Sequence, residues 1–269
     1  MTLNAAENSV YSSQPNELYT FSRSAIQWRY TSADEDKVFN LLTYTAVTLK
    51  RAAMEQTQEM SRSNLTLNMD KNIPFLTQFR ASPPTDIVML TINRFNEGDT
   101  DLAVMWVGRV VSIKFTEREA EVRCEPVFTS MKRPTIRRMY QRNCPHVLYG
   151  TSCGANGANF AVAVDILSIS GNTITASVFA LKADGYYAGG YVDWEQGGAL
   201  ERRFITDHTG QVITLSLPFN GLTTDQTLRA YPGCDHTLNT CGQKFNNYAN
   251  YGGQPYYPAV NPLTGTSIY

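Results

Sequence analysis

The sequence has no long hydrophobic run and almost no excess of charge of either sign. Its 269 residues are 42% hydrophobic and 17% charged, and 23 Lys and Arg nearly balance 24 Asp and Glu. No stretch approaches the about eighteen apolar residues of a transmembrane helix, so we expect no membrane segment. The balanced charge gives no electrostatic support for a nucleic-acid or membrane partner that acts through the whole surface.

The first twenty residues also lack the apolar core of a secretory signal. We therefore expect synthesis in a reducing cytoplasm. In that compartment paired cysteines hold metal more often than they form permanent disulfides.

Sequence motifs of the common enzyme classes are missing as well. The chain has no G-x-x-x-x-G-K-[ST], H-E-x-x-H or G-x-S-x-G motif and no glycine fingerprint of a dinucleotide-binding fold. A Cys–His hydrolase would need one cysteine with an activated thiolate, and no cysteine is set apart in that way. We therefore expect a protein that is not an enzyme.

Four of the five cysteines form two pairs. Eight residues separate Cys144 from Cys153, six separate Cys234 from Cys241, and glycines flank each pair. This spacing is compatible with a four-thiolate zinc site, two disulfides, an iron–sulfur cluster or unconnected thiols. By itself it favours zinc or disulfides over a cluster.

The remaining cysteine and the three histidines have simpler interpretations. Cys124 falls on a predicted strand and is expected to be a buried, unreactive thiol. His146 and His236 lie between the members of the two cysteine pairs. Either could replace a thiolate on zinc, but a hydrogen bond to a metal ligand is the more common role. His208 is expected in a turn.

Alternating apolar and polar residues predict a mainly β fold. In the first half, the predicted strands are Leu18–Arg23, Ala25–Ser32, Asn64–Met69, Asp86–Phe95, Asp101–Phe115 and Glu119–Phe128, with a turn at Asn96–Asp99. Short helices are predicted at Ala52–Arg62 and Ile73–Arg80. In the second half, the predicted strands are Phe160–Ile169, Thr173–Leu181, Gly189–Trp194, Leu200–His208, Gln211–Leu217 and Leu228–Tyr231.

A basic run, Met131–Arg142, marks a predicted boundary between one domain at residues 1–130 and another at residues 131–269. The run carries five cations and no acid: Lys132, Arg133, Arg137, Arg138 and Arg142. A solvated face is the favoured interpretation. Contact with nucleic acid and a position near a metal–thiolate group are the alternatives.

Three features together resemble a known family. They are LYTFSRSAIQWRYTSADEDKVF at Leu18–Phe39, the pairs Cys-x8-Cys and Cys-x6-Cys, and KFNNYANYGGQPYYP at Lys244–Pro258. In this order they resemble the tail-tip, or baseplate hub, proteins of long-tailed bacteriophages and gene transfer agents. The cysteine arrangement is similar to that of the phage lambda tail tip protein L.

The resemblance implies an N-terminal hub-type β-barrel domain followed by a β-rich C-terminal domain with an iron–sulfur site. It implies a homotrimeric virion protein that closes the tail tube and joins the distal tail protein to a central fibre or lower hub, near the tape-measure protein. Its 4Fe–4S ligands would be Cys144, Cys153, Cys234 and Cys241, and Cys124 has no counterpart. No sequence-specific nucleic-acid binding is implied.

Two alternatives remain beside this interpretation. One is a structural adaptor held together by zinc, and the other is an iron–sulfur protein that is active in redox chemistry. The tyrosines that follow the last cysteine suit either subunit interfaces or a cover that keeps water from a cluster: Tyr248, Tyr251, Tyr256 and Tyr257.

Overall fold

A computed structural model describes residues 15–54, 63–96, 102–132, 140–219 and 221–256. The chain divides into two compact units, and each has its own hydrophobic core. The first unit comprises residues 1–133 and 196–201, and the second comprises residues 134–195 and 202–269. Strands dominate both, as the sequence predicts.

Nine strands in the order β3-β4-β2-β1-β7-β8-β9-β6-β5 form the sheet of the first unit. They are β1 Pro15–Arg23, β2 Ile26–Thr31, β3 Lys37–Phe39, β4 Leu42–Ala46, β5 Leu49–Arg51, β6 Leu65–Asp70, β7 Met89–Asn96, β8 Ala103–Phe115 and β9 Glu119–Pro126. All described pairings are antiparallel except that of β2 with β4.

This sheet closes on itself through one bent segment, residues 42–51. Its first half, β4, pairs with β2, and the backbone N–H of Val47 continues the pairing to the carbonyl oxygen of Thr31 at 3.0 Å. Its second half, β5, pairs with β6 at the other end of the strand order. The strands therefore enclose their core as a barrel.

The inward positions of these strands carry the apolar residues of the alternating pattern. Phe75, from the single helical turn Pro74–Thr77, fills the core and stacks on Phe21 with ring centroids 4.2 Å apart. Val122 and Cys124 alternate inward on β9 and are almost fully buried. Burial raises the pKa of the Cys124 thiol to about 12, so this cysteine is a structural core residue.

Seven strands in the order β10-β16-β13-β14-β15-β12-β11 form the second sheet. They are β10 Val162–Asp165, β11 Ser168–Ser170, β12 Thr173–Thr175, β13 Tyr191–Gln196, β14 Ala199–Thr209, β15 Val212–Leu215 and β16 Thr227–Tyr231. β10 and β11 follow each other closely in the chain but lie at opposite ends of this order. A bent segment therefore joins the two ends here as well.

Two of the strand predictions for the second half are wrong. The predicted strand Phe160–Ile169 is two strands, because β10 pairs with β16 whereas β11 pairs with β12. The predicted strand Thr173–Leu181 ends at Thr175. The following residues, Ser177–Leu181, form a 3-10 helix that buries Phe179 completely.

Four smaller expectations concern one histidine, two helices and a turn. His208 is not in a turn but near the end of β14, where it is 1% exposed and its Nε2 lies 3.3 Å from the carbonyl oxygen of Phe179. The helix predicted at Ile73–Arg80 is one turn long. Most of the helix predicted at Ala52–Arg62 and of the turn predicted at Asn96–Asp99 lies outside the described residues.

No helix in the described ranges is long and apolar enough to cross a membrane.

Candidate metal centre

The four paired cysteines line a single cavity in the second unit. Cys144 and Cys153 belong to the irregular segment before β10, Cys234 follows β16, and Cys241 lies on the short helix Leu238–Gln243. The void measures about 350 Å³ when its open mouth is included. The structure therefore brings together all four residues that the sequence singles out.

The sheet itself produces this convergence. β10 and β16 run antiparallel, with Val162 opposite Ala230, so the start of β10 lies beside the end of β16. The segment that carries the first cysteine pair enters the sheet where the segment that carries the second pair leaves it. Residues far apart in the sequence thus meet at one end of the sheet.

Hydrogen bonds to backbone carbonyl groups then fix the two cysteine segments to each other. The N–H of Cys144 donates to the carbonyl oxygen of His236 at 2.8 Å. The phenol of Tyr251 donates to the carbonyl oxygens of Arg142, at 2.8 Å, and of His236, at 3.3 Å. The bonds of Cys144 to His236 and of Tyr251 to Arg142 cross from one segment to the other without involving a cysteine side chain.

Asn247 is a second connection between the segments, and sequence reasoning did not identify it. Its side-chain amide donates to the carbonyl oxygen of Cys153 at 2.6 Å and lies 3.8 Å from the Cys153 sulfur. Its backbone N–H donates to the carbonyl oxygen of Cys241 at 3.0 Å, and the Cys241 thiol donates to its carbonyl oxygen at 3.2 Å. One residue thereby positions a cysteine from each pair.

Backbone N–H groups are directed at the other two sulfur atoms. The N–H of Gly252 lies 3.4 Å from the Cys144 sulfur, and the N–H of His236 lies 3.3 Å from the Cys234 sulfur. Such N–H···S contacts stabilise thiolates and are a common means of adjusting a metal–thiolate group.

The backbone adopts left-handed conformations at three non-glycine residues of these segments. Tyr149, His236 and Asn246 have φ values of 60°, 63° and 48°. Left-handed backbone costs of order 1–3 kcal/mol at such residues and persists where the surrounding contacts impose it. The two cysteine segments are therefore held in a shape that the chain would not adopt alone.

Aromatic side chains form one wall beside the cavity. Tyr149 lies edge-on to Tyr231 and Phe245, with centroids 6.0 Å away in both cases, and its hydroxyl donates to the carbonyl oxygen of Pro232 at 2.8 Å. Phe245 and Leu148 also line the void. Burial raises the pKa of the Tyr149 phenol, so the ring serves as a neutral wall.

The thiols influence each other electrostatically. Burial raises the pKa values of Cys234 and Cys241, and the nearby cysteines of the site raise them further. Removing several protons from so compact a set of thiols therefore requires a compensating positive charge.

Lys244 lies next to this site and is half-buried. Its ammonium group donates to the carbonyl oxygen of Gly233 at 2.7 Å and to that of Tyr186, and it lies 4.1 Å from the centre of the Tyr186 ring. Burial lowers the pKa of Lys244 to about 8, although Cys234 and Asp235 act in the opposite direction.

All five cysteines are free thiols in this structure, so neither pair forms a disulfide. Within the described ranges, no three His, Cys, Asp or Glu side chains are grouped tightly enough to hold a single metal ion. The donor set nevertheless suits a thiolate-bound group, because four thiols share one cavity and N–H groups are directed at their sulfurs.

The two histidines between the paired cysteines lie at the same cavity as the four thiols. The Nδ1 of His146 lies 3.2 Å from the carbonyl oxygen of Asn250, and its ring packs on Gly252. His236 contributes its backbone groups to Cys144 and Cys234. Both imidazoles line the cavity beside four thiols that are all present.

Two tyrosines that follow the last cysteine differ in their surroundings. Tyr248 packs on Gly242, whereas Tyr256 is 93% exposed. Residues 133–139, which hold most of the basic run, and Tyr257 are outside the described residues.

Comparison with known proteins places the chain among phage proteins. Residues 17–156, just over half of the chain, match the family described as "Baseplate hub protein, N-terminal attachment domain". The chain belongs to this baseplate hub family. Residues 185–261 match a second family, "Phage conserved hypothetical protein BR0599". The chain is thus a structural protein of a phage-like virion and not an enzyme.

Individual relatives are distant in sequence. An uncharacterized protein of Xylella fastidiosa (strain 9a5c) is 26% identical over an alignment of 177 positions that covers 60% of this chain and 36% of that protein. The chain thus spans about a third of that relative.

A solved chain from the virion of a native gene transfer agent particle superposes with a TM-score of 0.80 at 17% identity, over 99% of this chain and 97% of that chain. This likeness shows a shared fold. The similarity of the cysteine arrangement to that of the phage lambda tail tip protein stays a prediction.

The tight packing behind Cys234 generates a testable prediction. A Cβ atom at Gly233 would lie 1.7 Å from the carbonyl oxygen of Ala188, so Gly233→Ala must displace backbone. We expect it to lower the free energy of unfolding of the second unit by about 1–3 kcal/mol. Chemical denaturation followed by circular dichroism measures this change.

The matched control is Gly157→Ala, whose Cβ would make ordinary contacts of 3.4–3.5 Å with Tyr149 and Tyr231. If the two variants unfold at the same denaturant concentration, the close approach of the chain behind Cys234 is not as described.

Proposed function

We propose that this hub-family chain closes the tail tube at the tip of the particle and is braced there by a 4Fe–4S cluster. Cys144, Cys153, Cys234 and Cys241 are the proposed ligands. The observation that carries the cofactor proposal is the cavity that all four thiols share. The membership of the baseplate hub family supports the place in the tail.

A cluster suits this cavity better than a single zinc ion does. Four thiolates around one zinc must all lie about 2.3 Å from the metal. The described side chains include no group that tight. An iron–sulfur cluster takes one thiolate at each of several iron atoms and therefore accepts ligands that lie further apart. The loose spacing of both cysteine pairs in the sequence points the same way.

When bound, the cluster supplies a covalent cross-link between the two cysteine segments. It would join Cys153 to Cys234, which are separated by 80 residues (154–233). By analogy with a disulfide, closing a loop of this length removes unfolded-state entropy that corresponds to about 4 kcal/mol of stability. Ligand binding would then be part of the folding of the second unit.

The proposed assembly is a homotrimer between the distal tail protein on one side and a central fibre or lower hub protein on the other, near the end of the tape-measure protein. The outer side of β8 supports the presence of assembly contacts. It exposes the apolar residues Val104, Val107 and Val111, of which Val104 is 63% exposed. Exposed rows of this kind are often covered in an assembly.

The cofactor is tested by metal analysis of the chain purified without oxygen. We expect iron and acid-labile sulfide in equal amounts and a brown protein. Cys234→Ser should lose this iron and lower the free energy of unfolding of the second unit by about 4 kcal/mol, the loop-closure contribution. Cys124→Ser is the matched control and should keep its iron, because Cys124 lies in the other core.

A colourless wild-type chain that contains zinc would contradict the cluster and favour the zinc-stapled adaptor. A cluster with a reversible potential that is linked to turnover of a substrate would favour the redox-active alternative.

The assembly is tested by mass measurement on mixtures with the distal tail protein of the same particle. We expect complexes that contain three copies of this chain. Val104→Lys combined with Val111→Lys should weaken these complexes without unfolding the barrel, because both side chains are exposed.

Ser112→Lys adds one positive charge, half that of the double variant, at an exposed polar position of β8 and should have little effect. Complexes with a single copy of the chain, or equal weakening by all of these substitutions, would contradict the proposed contacts.

A further inference from the structure

The ammonium group of Lys244 is accommodated by dipoles and aromatic rings, and not by a carboxylate. It donates hydrogen bonds to the carbonyl oxygens of Tyr186 and Gly233, and its nitrogen lies 4.1 Å from the centre of the Tyr186 ring. The Phe245 ring lies 5.6 Å away. In the described part of the chain, no carboxylate is within ion-pair distance of this lysine.

Asp235 acts on Lys244 electrostatically, but its carboxylate makes its hydrogen bonds elsewhere. Its carboxylate accepts hydrogen bonds from the backbone N–H of Thr237 at 2.9 Å and from the Thr237 hydroxyl at 2.8 Å. It therefore holds Thr237, the N-cap residue of the short helix that carries Cys241. Burying a cation without a close anion costs free energy of folding, so we expect another negative group to offset the burial of Lys244.

The cysteine site would supply that negative group when it holds a metal. Lys244 donates to the carbonyl oxygen of Gly233, the residue directly before Cys234, so its ammonium group lies next to the backbone of a proposed ligand. Four thiolates around a doubly charged cluster core, or around one divalent ion, leave the whole group negative. We infer that Lys244 is the fixed counter-charge of the metal–thiolate group and lowers the cost of holding that charge inside the second unit.

This inference rests on the proposed four-thiolate site, but it does not depend on whether the metal is iron or zinc. It gives Lys244 an effect that a purely structural brace would not have. If Lys244 only linked Tyr186 to Gly233 through hydrogen bonds, it would stabilise the metal-free and the metal-loaded chain equally. A counter-charge stabilises the loaded chain selectively, because only that chain contains the buried negative group.

The experiment compares the full-length wild type with Lys244→Met and Lys244→Arg, all purified without oxygen. Lys244→Met removes the charge and keeps most of the side-chain volume, whereas Lys244→Arg keeps the charge. We expect Lys244→Met to release its metal to a chelator about tenfold faster than the wild type, as loss of one partly buried charge interaction implies. Lys244→Arg should stay within about twofold of the wild type on the same grounds.

Two further readouts separate charge from bracing. The unfolding midpoint of Lys244→Met should fall more in the loaded chain than in the metal-free chain. If the metal is iron, the reduction potential should also shift to a more negative value, because a lost positive charge disfavours an added electron.

Equal destabilisation of loaded and metal-free Lys244→Met, or unchanged metal release, would overturn the inference and leave the metal site intact. A wild-type chain that binds neither iron nor zinc would instead overturn the proposed cofactor, and the counter-charge with it.

Discussion

The meeting of two cysteine segments at one end of the second sheet is the constraint on which the functional account depends. Antiparallel pairing of β10 with β16 places the two segments side by side. Bonds such as that from the N–H of Cys144 to the carbonyl oxygen of His236 then hold them together. Left-handed backbone at Tyr149 and His236 shows that tertiary contacts, and not local preference, shape these segments.

In both units, one stretch of chain joins the two ends of the sheet. In each, a bent stretch of chain pairs at its start with one end of the sheet and at its finish with the other: residues 42–51 in the first unit, and β10 with β11 in the second. Closure leaves few unpaired edges, which limits uncontrolled association in a protein that must assemble only with its proper neighbours.

Sequence reasoning identified the mainly β fold and the four cysteines, because alternation and cysteine spacing are local signals. It joined β10 and β11 into one strand, because the bend depends on pairing with distant strands. It also missed Asn247 and Lys244, since nothing in their neighbours predicts an amide against Cys153 or a half-buried ammonium beside Gly233. These roles arise only when the two segments meet.

Diffraction from crystals of the anaerobically purified chain at the iron absorption edge tests the central claim most directly. The account predicts one compact anomalous density feature in each chain, surrounded by the sulfur atoms of Cys144, Cys153, Cys234 and Cys241. An anomalous signal that appears only at the zinc edge would contradict the cluster. A map with no metal among these four sulfurs, or with the two cysteine pairs apart, would contradict the shared site itself.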